Sequence, residues 1–440
     1  MTGIGPRTAA ACPRLAVRET LYTPAHVVEL DLEAPGELRS PGGAPADAPD
    51  GRVLALVRLR GHPLGMVSAH GALGDTAGLY RTLADAAHRR LDTSAAAEAA
   101  RPGPGRTVRV PEPGEPPAVS VIVTTHDRPG MLRECLNALL RSGHPSFEII
   151  VVDNAPSDDA AEKLIRECYT SRVRYVREHM VGLARAHNRG LSAARGWICA
   201  FTDDDTLVDP GWITALERAF EDRGTDRTVG ERVGCVTGLI VPAELETAAQ
   251  CTLEGHGGFG KGFTRRSWSP AHPPTDPLFP FTAGQFGSGA NTAFRTDVLR
   301  ELGGFAPATR TGAPAHGGDD LLAFFQVLAA GSAIVYQPDA IVWHRHRRAT
   351  DAVTAQAFGH GAGFGAFLAA AVRHWPTPLP SLVRRIPGGI RHVATKSRTG
   401  TGATGVWPVR LTLREVRGLL YGPAGYLRSR YASRRRAART

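Results

Sequence analysis

The chain has 440 residues, 42% hydrophobic and 21% charged, which supplies a large core and excludes a disordered chain. The length exceeds a typical single domain, so one catalytic domain of over ~200 residues with smaller appendages is expected. The net charge of +10 is uneven: residues 381–440 hold fourteen Lys/Arg against one acid, Glu415, which leaves residues 1–380 at −3, so any attraction to an anionic membrane, nucleic acid or acidic surface belongs to the C-terminal region.

In chain order, residues 1–100 read as a small α+β unit. Apolar runs at 53–60 and 63–67 flank Gly61-His62, a hairpin pattern, and a helical stretch follows at 76–91. Residues 101–117, with Arg101-Pro-Gly-Pro-Gly-Arg106 and Pro111-Glu-Pro-Gly-Glu-Pro-Pro117, form a linker. The pattern then changes. Residues 119–125 are a β-branched run suited to a buried strand, and Pro129 opens a helix with Leu132, Cys135, Leu136, Leu139 and Leu140 at helical spacing. A strand at 147–153, a helix at 157–169, a strand at 173–176, a helix at 183–195 and a strand at 197–202 follow. This alternation predicts a mostly parallel, doubly wound sheet with helices on both faces. Thr125–Asp127, Asp153–Asn154 and Asp203–Asp205 then lie at strand carboxyl ends, where such sheets bind ligands.

Residues 230–345 are more mixed, with strand-like runs at 236–241, 290–295, 333–336 and 341–344 and a helix over 319–330 closed by Gly331. Residues 349–440 read as a helical, basic region that mixes arginines with Leu411, Leu419, Leu420, Tyr421, Tyr426, Leu427 and Tyr431; such a mixture suits an anionic membrane surface, and equally a solvated basic tail. The longest apolar stretch, 362–372, is about half the ~20 residues a membrane span needs. The six cysteines, Cys12, Cys135, Cys168, Cys199, Cys235 and Cys251, form no C-x-x-C pair and sit mostly among apolar neighbours, which reads as buried, reduced thiols of a cytosolic protein. No basic-then-apolar segment opens the chain, so no signal peptide is expected.

Chemistry concentrates in few places. Asp203-Asp204-Asp205 at the end of an apolar strand repel one another unless a hard cation such as Mg2+ or Mn2+ intervenes; the alternative is an acidic loop with Asp209 capping the next helix. Asp153, followed by Asn154-Ala-Pro, can accept from a base or ribose, or simply make an Asx turn. Gly317-Gly-Asp-Asp320 puts two acids at a helix start, where the dipole favours them and where a general base is reasonable. His344 and His346 at a strand end can ligate metal and the arginines beside them can hold diphosphate. Gly287-Ser-Gly-Ala-Asn lets a sugar approach backbone, or reflects close packing.

Taken together, Val119–Pro129, Val151-Val-Asp-Asn154, Gly182-Leu-Ala-Arg-Ala-His-Asn-Arg-Gly190, Thr202-Asp-Asp-Asp205, Gly289–Arg295, Gly303-Gly-Phe305, Gly318-Asp-Asp320 and His344-Arg-His346 resemble the family 2 glycosyltransferases, inverting enzymes of the GT-A fold, here carrying an N-terminal extension. The likeness runs over residues 118–348. It implies a nucleotide-sugar domain in which Thr125 and Asp127 lie near the nucleoside, Asp153 binds base or ribose, and Arg185 and Asn188 line the donor pocket. Asp203 and Asp205 match the D-x-D motif, Asp203 and Asp204 count with the donor-binding residues, Asp205 is favoured over Asp203 as the direct metal ligand, and either His344 or His346, with His344 preferred, completes the shell. Asp320 matches the catalytic base, with Asp319 beside it where the family more often has Glu, and Leu322 stands where a polar residue is usual. The resemblance further implies a nucleoside-diphosphate sugar donor and a glycan, lipid-linked or small-molecule acceptor; the basic C-terminal region fits a lipid-linked acceptor or a surface polysaccharide pathway, and with the cysteine usage it suggests a location that is cytoplasmic or peripheral on the inner face of the plasma membrane.

Two other readings compete. A nucleotidyltransferase also uses a doubly wound sheet and metal, but Thr124-Thr-His-Asp-Arg-Pro-Gly130 lacks the Gly-rich basic loop that grips a triphosphate. A nucleotide-sugar-binding protein without turnover would not need the full set of acids. Nucleic acid is the weakest partner, since no recognised binding module is visible.

Overall fold

The computed structural model describes residues 24–91, 115–221, 232–255, 259–276, 278–309, 313–374 and 409–437. Cys12, most of the expected linker and the basic residues at 381–408 lie outside the described residues. The first sheet comprises β1 (His26–Asp31), β2 (Gly51–Leu59) and β3 (His62–Gly71), covered by α1 (Thr76–Arg90). β2 and β3 make the expected hairpin, and β1, absent from the sequence reading, adds to β2 in parallel. Val28, Leu30, Val53, Ala55 and Val57 face α1. Val27, Leu54, Leu56 and Met66 face the other way, into the main core. Residues 24–91 are therefore not separate in packing: β2 is apolar on both sides because both of its faces are covered.

The main sheet follows. β4 (Val119–Thr125), α2 (Pro129–Leu139), β5 (Phe147–Asn154), α3 (Ala160–Cys168), β6 (Val173–Glu178), α4 (Leu183–Ala193) and β7 (Ile198–Asp203) form the wound half. β4 lies between β5 and β7, parallel to both. Every residue of β4 is buried: Val119, Val121 and Val123 pack with Leu132, Cys135 and Leu136 of α2, and Ile122 packs with Ala184 and Ala186 of α4. Each such side chain contributes roughly 1.5–3 kcal/mol on full burial. Gly190 is needed in α4 because a Cβ there would lie 2.4 Å from Ile122.

The second half is mixed, as expected. β8 (Thr206–Val208), α5 (Trp212–Glu221), β9 (Val233–Pro242), α6 (Ala248–Gly255), β10 (Arg266–Trp268), β11 (Thr292–Arg295), α7 (Thr296–Glu301), α8 (Asp319–Ala329) and β12 (Ala333–His344) complete it. β11 is antiparallel to β7 and β9 on either side. Its direction carries the preceding Gly289–Asn291 turn to the carboxyl edge of the sheet. The expected pair of short strands at 333–336 and 341–344 is one strand, β12, with a register shift between Gln337 and Ile341. β8 pairs with its end, His344 opposite Thr206.

Two long helices close the chain, α9 (Thr350–His374) and α10 (Val409–Ala437). They touch backbone to backbone: a Cβ on Gly361 would meet Glu415 O at 1.9 Å, and one on Gly422 would meet Ala362 O at 2.4 Å. No helix among the described residues is long and apolar enough to cross a membrane. Cys135, Cys199, Cys235 and Cys251 are buried and free, whereas Cys168 is exposed, against expectation, because it ends α3 on the solvent side.

Candidate active site

The site is built on the carboxyl edge of β5, β4 and β7. Register places Thr125 opposite Asp153, and Thr124 opposite Asp203. Thr124 Oγ1 donates to Asp203 Oδ1 at 3.1 Å, and Thr125 Oγ1 donates to Asp204 Oδ2 at 2.7 Å. Arg128 reaches over this edge, 2.9 Å from Asp204 Oδ1 and 3.0 Å from Asp205 Oδ2. The contact to Asp204 is close but lacks hydrogen-bond direction, so it is an ion pair only. Arg128 was not among the expected site residues. The signal was available: acids packed at the end of a buried strand need a counter-charge nearby.

Asp205 and His344 come together through the β8–β12 pairing. Arg345 N donates to Asp205 O at 2.9 Å, and His344 Nε2 lies 3.6 Å from Asp205 Oδ1. Burial pulls the imidazole of His344 down to about 4, so it is neutral at physiological pH. His344 Nδ1 lies 3.1 Å from His346 Nδ1, and His346 Nε2 lies 2.9 Å from Glu254 Oε2. His344 is thus the one next to the acids, and His346, paired with Glu254, stands behind it.

The expected metal set of Asp203, Asp205 and His344 is only partly assembled. Asp205 and His344 meet, while Asp203 is directed at Thr124. Asp204, expected to contact the donor, is 1% exposed and ties β7 to β4 through Thr125, because the turn points its side chain into the protein. Among the described residues no group of three or more His, Cys, Asp or Glu is arranged to hold a metal. One carboxylate with one neutral imidazole, beside further acids, fits a Mg2+ or Mn2+ ion that takes most of its ligands from substrate phosphates and water, and does not fit an all-protein cage.

Asp153 is fully buried at the end of β5. Tyr175 OH donates to Oδ2 at 2.9 Å, and Oδ1 has no hydrogen-bond partner among the described residues. Burial raises its pKa. A buried carboxylate oxygen left unpaired at the carboxyl end of a strand suits a donor group on a ligand. Asp127, beside it, has a φ of 54° and accepts from Ser157 N, which holds its carboxyl below the usual range. Arg185, in the first turn of α4, has its Nε buried without a hydrogen-bond partner among the described residues. Asn188 differs from expectation: its amide donates to Phe305 O at 2.8 Å and accepts from Phe305 N at 2.8 Å, so it braces the loop after α7 instead of facing a ligand. Both ends of the carboxamide are used by that backbone.

The acid pair of α8 joins the same edge. Gly318 takes the left-handed conformation at its start, φ 93°, and a Cβ there would lie 2.4 Å from Gly363 O. Asp319 is buried; burial and then the neighbouring Asp320 push it up to about 8, with a further contribution from Asp203. Asp320 is half-buried. Its Oδ2 accepts from Gly289 N at 3.0 Å and its Oδ1 from Leu321 N at 2.8 Å. Ala290, next in chain, accepts from Thr202 Oγ1 at 3.0 Å. The Gly289–Asn291 turn therefore links the end of β7 to Asp320.

These acids set a pH dependence. Burial, then Asp205 and Asp204, raise Asp203 to about 7; burial, with Asp205 adding, raises Asp204 to about 6. A carboxyl that holds its proton longer folded than unfolded stabilises the fold fully below its unfolded pKa of about 4, and that stability is lost as pH rises through its folded pKa. His344, held down to about 4, works in the opposite sense as pH rises toward neutrality, so the share of Asp203 is read as a difference: the stability of the chelator-treated protein relative to its Asp203→Asn variant should fall as pH rises from about 4 to about 7. A midpoint difference between the two proteins that stays flat or rises over this interval in calorimetry would contradict the burial of Asp203.

Fold and site define a doubly wound α/β domain with an acid-lined carboxyl edge, the place where such sheets bind ligands. Residues 120–303 match the family model described as Glycosyl transferase family 2, so the chain is similar over this segment to a domain of that family. It is 31% identical over 111 residues to the putative glycosyltransferase EpsH of Bacillus subtilis, covering 24% of this chain and 32% of that one. It is 26% identical over 300 residues to the pre-mycofactocin glycosyltransferase of Mycobacterium tuberculosis, covering 67% of this chain and 56% of the relative. The chain thus spans a third to just over half of these curated relatives. A mannosyltransferase of Pyrobaculum calidifontis, solved with GDP-Man and Mn2+, is similar at 19% identity and a TM-score of 0.40, over 72% of this chain and 75% of that one.

Proposed function

We propose that the protein is an inverting glycosyltransferase that moves a sugar from a nucleoside-diphosphate donor to an acceptor hydroxyl, with residues 118–348 as its catalytic unit. What supports the reading is the Gly289–Asn291 turn, hydrogen-bonded both to Thr202 beside the Asp203–Asp205 acids and to Asp320. That turn puts a carboxylate suited to proton abstraction next to acids suited to a phosphate-bound cation. Asp153 Oδ1 and Arg185 Nε are the unpaired polar atoms available to the nucleoside and the phosphates. Asp205 and His344 would hold a Mg2+ or Mn2+ ion, which when bound would supply positive charge to the leaving diphosphate. Asp320 takes the acceptor's proton as its oxygen bonds to the anomeric carbon, and the carbon–phosphate oxygen bond opens on the opposite face, inverting configuration. The acceptor is a glycan, a lipid-linked sugar or a small molecule. Cytoplasmic residence, peripheral on the inner face of the plasma membrane in contact with anionic lipid, is part of the same reading.

A thermal-shift screen of nucleotide sugars with Mn2+ tests it. A bound donor at about a hundred times its Kd adds about 2.7 kcal/mol of stability, and Asp205→Ala should remove the metal-dependent part of the shift. A shift without transfer or hydrolysis would identify a binding protein, and a response to nucleoside triphosphates with sugar phosphates would favour the nucleotidyltransferase.

A further inference from the structure

The helix α10 presents two unlike faces. One, at Gly418, Gly422, Gly425 and Ser429, is buried: Gly418 and Gly422 lie against the backbone of α9, a Cβ on Gly425 would meet Pro314 O at 2.5 Å, and Ser429 Oγ accepts from Ala315 N at 3.2 Å. Leu413, Val416, Leu420 and Leu427 recur at spacings of three, four and seven, which at about 100° per residue is a single narrow row. That row lies opposite the buried face, and Leu413, Leu420 and Leu427 are 63%, 77% and 61% exposed. It runs about 21 Å along the helix at ~1.5 Å per residue. Arg410, Arg417 and Arg428 are exposed along one flank of it. The one acid of α10, Glu415, sits on the α9 side, where its carbonyl faces Gly361.

We infer that this outer face of α10 docks on an anionic lipid bilayer, with the leucine row inserted at the headgroup–acyl boundary and the arginines on the headgroups. The proposal deepens the peripheral placement above and rests on it. Apolar side chains flanked by cations, with no acid on that face, complement a negatively charged apolar boundary. A second copy presenting the same face would set arginines against arginines. The buried face holds residues 314–315, four to five positions before Asp319, so a docked α10 would fix the Asp319–Asp320 pair relative to the lipid surface.

The test uses the full chain in sedimentation with sucrose-loaded vesicles, of phosphatidylcholine alone or with about 30% phosphatidylglycerol. Binding is expected to the anionic vesicles only and to weaken as salt is raised. Leu420→Glu with Leu427→Glu should weaken partition about tenfold or more, with the melting midpoint unchanged since both side chains face outward. Leu73→Ser, which removes a side chain 82% exposed before α1, should leave binding intact. Absence of binding by the unaltered protein would overturn the peripheral placement itself. Binding equal in the double variant would keep that placement and overturn α10 as the surface. A dimer in light scattering that the double variant dissolves would give the row to a second copy and overturn the lipid assignment.

Discussion

Asp320→Asn should slow sugar transfer by about 10²–10⁴-fold while donor affinity stays nearly constant. The substitution keeps the shape and leaves an oxygen to accept from Gly289 N, now 3.0 Å from Oδ2. What it removes is the capacity to take a proton. Asp319 beside it is buried and held up to about 8 by burial and by Asp320. The buried Asp319 therefore holds its proton to higher pH than a free carboxyl, and the half-buried Asp320 is the member of the pair that is open to an acceptor. Single-turnover rates with calorimetric donor affinities separate the roles. If affinity falls as far as rate, Asp320 belongs to donor binding; if rate is unchanged, the base is another group.

Arg58→Met should cost about 3–5 kcal/mol of unfolding free energy. Arg58 Nη1 lies 2.6 Å from Asp209 Oδ2 and 3.3 Å from Glu29 Oε2, with side chains only 12%, 4% and 2% exposed. Glu29 belongs to β1, and Asp209, whose Oδ1 accepts from Gly211 N, opens the turn into α5. One guanidinium thus pairs with two buried acids across the joint between the first sheet and the main one. Removing it leaves both uncompensated. Burial raises Glu29 to about 7, so it sheds its proton near neutrality, and the loss from Arg58→Met should be larger at pH 8 than at pH 6. Denaturant unfolding at the two pH values measures this. A loss below about 1 kcal/mol at both would rank the triad with surface ion pairs.

Much of the wound half was legible along the chain. The β4 run, the helical spacing of Leu132, Cys135, Leu136 and Leu139, and the acids closing β5 and β7 all announce themselves within short windows. Asp320 was readable because Gly317-Gly318 before an apolar helix is itself a local pattern. The residues that sequence reasoning missed or misjudged share a different character. Arg128 was passed over since its value depends on Asp204 and Asp205, more than seventy positions away. Asn188 read as a ligand contact, but Phe305 claims both ends of its amide.

What the sequence by itself determined is the period of each element and the residues left at its ends, because side-chain alternation and backbone conformation are decided by near neighbours. Which ends meet was decided only in three dimensions. The reversal of β11 brings Gly289 to Asp320, the pairing of β8 with the end of β12 sets His344 beside Asp205, and the first sheet turns Leu54 and Leu56 into the main core. Strand partners and buried counter-charges are chosen by non-local packing and by the cost of leaving a charge unpaired, and neither leaves a periodic mark along the chain.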